Sequence, residues 1–150
     1  MWAEGGMGLR TSGFKLSIFV TLLVFVLPTG TALAQPASVA GNWLGRIVDN
    51  GLPVVVSLNI ESLKLGEKTL KISYASPRNC YSIGEYAGDM DGRDIFYLTE
   101  SSARTWCERF TYNTNSVIRL RLDENNNLYY EIYSVRKYKK QLEKGTLVRQ

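Results

Sequence analysis

The chain has no histidine, two cysteines and four prolines in 150 residues, and a net charge of only +4. Without an imidazole, Ser-His-Asp and Cys-His catalysis are excluded, as is any zinc site that needs one. Two thiols cannot complete a four-thiolate zinc centre or an iron–sulfur cluster. No uncharged apolar run reaches the roughly 20 residues of a membrane-spanning helix. The positive excess is too small and too dispersed to argue for nucleic acid. An ordinary charged fraction of 21% beside 11% aromatics argues against disorder.

The first 34 residues read as an address. Arg10 and Lys15 form a basic start, and residues 16–27 follow without a charge. Twelve residues at helical rise span about 18 Å, short of the ~30 Å hydrocarbon core. Pro28 and Gly30 break the run, and Ala32-Leu33-Ala34 is a small-x-small cleavage site. These are the three parts of a secretory signal peptide. Cleavage leaves Gln35 as the first residue, and the expected location is exported, either periplasmic or secreted. Removing Arg10, Lys15 and Glu4 leaves sixteen basic and thirteen acidic residues, a net of +3.

A mature chain of this size sits near the lower limit for a self-sufficient core. Export places it where disulfides persist. Two cysteines allow one intramolecular pairing, Cys80 with Cys107. That loop contributes about 3–4 kcal/mol in the chain-entropy model. A reactive thiol is the weaker reading, because there is no CxxC and no histidine partner.

Residues 35–41 are small and polar and read as a short linker. Residues 42–150 then form a single domain of short runs separated by turn residues every eight to twelve positions. The expected strands are 43–48, 53–60, 68–74, 81–87, 94–100, 105–111, 116–122, 128–135 and 145–149. Val54, Val56, Leu58 and Ile60 alternate with polar or outward positions. Leu70, Ile72 and Tyr74 do the same, as do Ile118, Leu120 and Leu122. The hairpin across residues 123–127 pairs Arg121 with Tyr129, Leu120 with Tyr130, Arg119 with Glu131 and Ile118 with Ile132. An Arg119–Glu131 ion pair is expected on its outer face. Residues 136–144 read as a solvated loop. Eight or nine antiparallel strands predict a small closed β-barrel, lipocalin-like, with a two-sheet sandwich as the alternative.

The layout resembles a loose group of small exported bacterial β-domains of mostly uncharacterised function. Gly41-Asn42-Trp43-Leu44-Gly45 is similar to their opening G-x-W-x-G, and residues 54–60 to the strand that follows. Ile72-Ser73-Tyr74 then leads to Cys80, and Glu100 to Cys107. Residues 117–122 with Leu128-Tyr129-Tyr130 resemble the closing hairpin, and Gly145 to Arg149 the terminal G-x-L-x-R. A glycine near the first cysteine is displaced here to Gly84. The resemblance implies a lipocalin-like barrel with one disulfide and no catalytic residues.

Chemistry is sparse. Asp89, Asp91 and Asp94 lie in a GDMDGRD stretch, but Gly92 comes too early for a calcium loop, so no metal site and no cofactor are expected. Glu85, Glu100, Glu108 and Glu131 lie on expected strands, where solvent-facing carboxylates are the rule. The expectation is a non-enzymatic binding module engaging a protein or envelope component, inhibitor or immunity proteins included. Tyr129, Tyr133, Arg119 and Arg121 are the contact candidates on the wall, because exposed tyrosine beside arginine suits recognition. Arg136, Lys137, Lys139 and Lys140 are the candidates in the adjoining loop. The alternative is a carrier of a small apolar ligand, with a cavity lined by Val54, Val56, Leu58, Ile118, Leu120 and Tyr130.

Overall fold

Eight antiparallel strands close on themselves in sequence order, which a chain of short alternating runs and tight turns allows without crossovers. The computed structural model describes residues 37–111, 116–135 and 140–150. The chain divides after Ala34 into two units, and the first lies outside the described residues. The strands are β1 (Gly41–Asp49), β2 (Leu52–Ile60), β3 (Lys68–Tyr74), β4 (Cys80–Met90), β5 (Arg93–Ser101), β6 (Ser116–Leu122), β7 (Leu128–Ser134) and β8 (Gln141–Arg149). The barrel is therefore the observed architecture, and the two-sheet sandwich is not.

Alternation works as expected. Val54, Val56, Leu58 and Ile60 point inward and are at most 2% exposed. Leu70, Ile72, Phe96, Ile118, Leu120, Tyr130 and Ile132 join them in one core. The β6–β7 register is the one read from the sequence: Arg121 opposite Tyr129, Leu120 opposite Tyr130, Arg119 opposite Glu131, Ile118 opposite Ile132. The polar partner of Glu131 differs. Arg93 of β5 pairs with it at 3.3 Å, while Arg119 lies over the Tyr133 ring.

Two expectations need correction. Residues 105–111 are not a strand; Trp106–Phe110 forms a 3-10 helix. Its buried side chains, Cys107 and Phe110, fall three apart, on one face of a turn rather than on alternate positions. The Cys80–Cys107 disulfide ties that helix to the start of β4. Residues 136–144 are not wholly loop either: β8 begins at Gln141, with Gln141 opposite Tyr133 and Glu143 opposite Ile132. A carboxylate at the inward position Glu143 had hidden the strand's apolar alternation.

The described part of the expected linker lies against the barrel. Val39 is buried, and its carbonyl accepts a 2.8 Å bond from the Trp43 indole. Arg149 donates to the carbonyls of Ser38 and Ala40 and covers the Trp43 ring.

Candidate functional site

The outer wall of β5, β6 and β7 carries four of the eight contact residues read from the sequence, Arg119, Arg121, Tyr129 and Tyr133. Outward positions on neighbouring strands stand side by side, so the register itself assembles the surface. Arg119 sits 4.9 Å from the Tyr133 ring centroid, and Arg121 4.9 Å from that of Tyr129. The Tyr129 hydroxyl donates to Glu131 at 3.1 Å. Partial burial, followed by the Glu131 carboxylate, raises the phenol pKa of both Tyr129 and Tyr133. Both tyrosines are half-buried, held under their arginines. Lys140 is exposed at the foot of β8, and its carbonyl accepts from Ser134. Arg136, Lys137 and Lys139 lie outside the described residues.

The sequence reading missed the apolar part of this wall. Met90, Tyr97 and Val135 are 61%, 51% and 53% exposed, and Ile95 and Val117 lie beneath them. Clefts of about 380, 210 and 460 Å³ share these residues. Arg119 lines the first two and Tyr97 the last two, so the three form one shallow depression. Four strands contribute: Met90 ends β4, and the other three are paired as Tyr97 with Val117 and Val117 with Tyr133. No local pattern announces such a grouping; only the β5–β6 pairing creates it.

A second polar constellation closes the end that carries the β1–β2, β3–β4 and β5–β6 connections. Arg78, from the β3–β4 connection, is 6% exposed and donates from Nη1 to Glu143 Oε2 at 2.5 Å. Its Nε donates to Asp49 Oδ2 at 3.0 Å. The hydroxyls of Tyr74 and Tyr130 both donate to Glu143 Oε1, at 2.7 and 2.9 Å. The guanidinium stacks 3.3 Å from the centroid of the Trp106 ring. Burial works against the Arg78 charge, but its bonds to Glu143 and Asp49 outweigh it and the pKa rises. Burial and then the Glu143 charge push the Tyr74 and Tyr130 phenols well up.

This network was also missed, since four segments far apart in sequence build it. Its chemistry is structural. Asp49 and Glu143 are both engaged by one guanidinium, and Glu143 accepts three bonds in all. Asp94 is held differently: burial raises its carboxyl pKa, although Tyr86 donates to it at 2.8 Å.

The six residues read as a cavity lining are core. Val54, Val56, Leu58, Ile118, Leu120 and Tyr130 are at most 1% exposed and pack in one cluster. Of five clefts among the described residues, Leu58 alone of the six lines one. No group of His, Cys, Asp and Glu suited to a metal occurs among the described residues. No described helix is long and apolar enough to cross a membrane. Comparison with family models, with curated proteins and with solved structures found no match for the chain.

Proposed function

We propose that this chain is an exported, non-enzymatic binding module that engages an acidic protein surface through the outer wall of β5, β6 and β7. The observation that carries the reading is the depression on that wall. Exposed Met90, Tyr97 and Val135 surround a floor of Ile95 and Val117. Arg93 and Arg119 line it, with Arg121 further along β6, while Asp91 and Glu85 lie at its two ends and Glu131 is paired with Arg93. An apolar centre within a polar, arginine-bearing rim is the anatomy of recognition surfaces. The wall is rigid before binding, because each of its strands is hydrogen-bonded into a closed barrel. Little ordering free energy is then lost on association.

The Cys80–Cys107 disulfide is compatible with an oxidising location outside the cytoplasm. Export adds a direct check: the purified protein should begin at Gln35 by N-terminal sequencing. A protein retaining Met1 or Met7 would remove the exported part of the proposal.

The test is affinity capture with the tagged, oxidised chain from envelope and culture extracts of the source cells. One protein recovered near stoichiometry, and lost with Tyr97→Ala/Arg119→Ala, supports the reading. Recovery that survives this double substitution removes the wall from it. Recovery of a small apolar molecule in place of a protein transfers the reading to a carrier.

A further inference from the structure

The barrel wall has one incomplete joint. β1 pairs with β2 at nine positions but with β8 at only three: Trp43 with Arg149, Leu44 with Val148, Gly45 with Leu147. The ladder lapses at Gly45. A Cβ there would lie 2.6 Å from the Thr146 carbonyl oxygen, so glycine lets β8 tip against β1 at this point. Beyond it, Arg46 to Asp49 have no partner in β8, and Gln141 to Thr146 have none in β1. All of these residues are described. A cleft of about 300 Å³ occupies the joint, with both strand edges as its sides and Arg78 and Glu143 among its lining.

The direction of the backbone groups follows from one bond. Gln150 N–H donates to the Asn42 carbonyl at 2.9 Å, so Asn42 faces β8. In antiparallel pairing, alternate residues face the same neighbour. Arg46 and Val48 therefore present their N–H and C=O to the joint. The β1–β2 register agrees: Val48 stands opposite Pro53, which has no N–H to give. Unpaired strand edges of this kind are templates for another strand.

We propose that the β1/β8 joint is a strand-addition site that receives an extended, acid-bearing peptide segment of a partner protein. Four edge residues at strand rise offer about 13 Å, enough for a segment of four or five residues. Main-chain bonds to Arg46 and Val48 give the affinity. The rim selects the sequence. Arg46 and Lys144 are exposed and take part in no ion pair among the described residues. Of the acids nearby, Asp49 and Glu143 are already held by Arg78, and Glu131, opposite Lys144 on β7, by Arg93. Val48, 75% exposed, supplies an apolar contact on the same lip. Acidic residues at alternate positions of the incoming strand meet these two cations. This site stands apart from the β5–β7 wall and does not depend on it.

The probe is a displayed library of linear peptides, selected against the full oxidised chain, with the best peptide measured by fluorescence anisotropy. The expected winners carry Asp or Glu at alternate positions. Val48→Pro removes a joint-facing N–H without touching the β1–β2 ladder, and should weaken the peptide about tenfold. Arg46→Glu/Lys144→Glu, both at the surface, should weaken it at least as much. That pair decides the matter if the proline variant does not fold. Tyr97→Ala/Arg119→Ala should leave peptide affinity unchanged, which separates this site from the wall. Absence of any enriched peptide overturns the proposal. So does a selected peptide that binds the charge-reversed chain as well as the parent.

Discussion

Arg78 and Glu143 meet at 2.5 Å with both side chains only 6% exposed, and the same guanidinium reaches Asp49. Asp49 ends β1 and Glu143 lies near the start of β8. These are the two strands whose backbone ladder lapses before this end. Arg78 thus joins by side chain what the main chain leaves open. The Trp106 ring stacked on it brings the disulfide-bound 3-10 helix into the same closure.

Arg78→Ala should therefore be among the most damaging substitutions. It leaves Glu143 buried with two phenol donors and no counter-charge. Breaking one side of a buried pair costs about 3–5 kcal/mol. Urea unfolding measures it, and Arg78→Ala/Glu143→Gln should recover part of the loss. A cost within ~0.5 kcal/mol, the range of ordinary surface changes, would show that the pair does not hold this end.

Alkali should unfold the barrel. The Tyr74 and Tyr130 phenols are raised by burial and then by Glu143, and Tyr86 is pushed up to about 12 by burial and then by Asp94. Below the ordinary tyrosine value of 10.0 these groups are protonated in both states and their contribution is complete. Above it the unfolded chain releases phenolic protons first, so stability falls as pH rises. Absorbance at 295 nm should show exposed tyrosines titrating near their ordinary value. A later cooperative step should coincide with loss of the β-sheet circular dichroism. Gradual titration of all nine tyrosines with the fold intact would contradict this.

Removing the disulfide should weaken the domain without changing its architecture. Cys80 and Cys107 are 27 residues apart. In the chain-entropy model such a loop contributes about 3–4 kcal/mol. Cys80→Ser/Cys107→Ser should lower the urea midpoint accordingly. Proteolysis should then cut first around Trp106–Phe110, the helix the bond secures.

Gly145→Ala should cost about 1–3 kcal/mol, the usual range for overpacking. Its Cβ would lie 2.7 Å from Cε1 of the fully buried Tyr130 ring and 3.0 Å from Ile47 Cγ2. Thermal unfolding reads the loss directly.

Tyr97→Ala should leave stability within about 0.5 kcal/mol, as exposed positions do. Tyr97 is half exposed on the wall and opposite Val117. If partner capture falls while the unfolding midpoint holds, the residue acts in recognition; a fall in both would assign it to packing.

The fold class was legible because strand signals here are local. Val54, Val56, Leu58 and Ile60 declare an inward face within seven residues. The five residues between Leu122 and Leu128 likewise set the β6–β7 register, since a turn of given length determines which side chains stand opposite. The signal failed where an inward position was polar, as at Glu143, and where the buried residues followed a helical turn, as at Cys107 and Phe110.

By itself the sequence determined the alternation of three strands, one hairpin register and the only cysteine pairing two thiols permit. Each depends on neighbours along the chain or on a count. Tertiary structure alone decided the rest. It gathered Tyr97, Val117 and Tyr133 into one wall, placed Arg78 between Asp49 and Glu143, and left the β1/β8 joint unpaired. The last two relationships arise from closing the barrel, which brings together residues as far apart as Arg46 and Lys144. No spacing along a chain encodes a contact whose cause is the return of the last strand to the first.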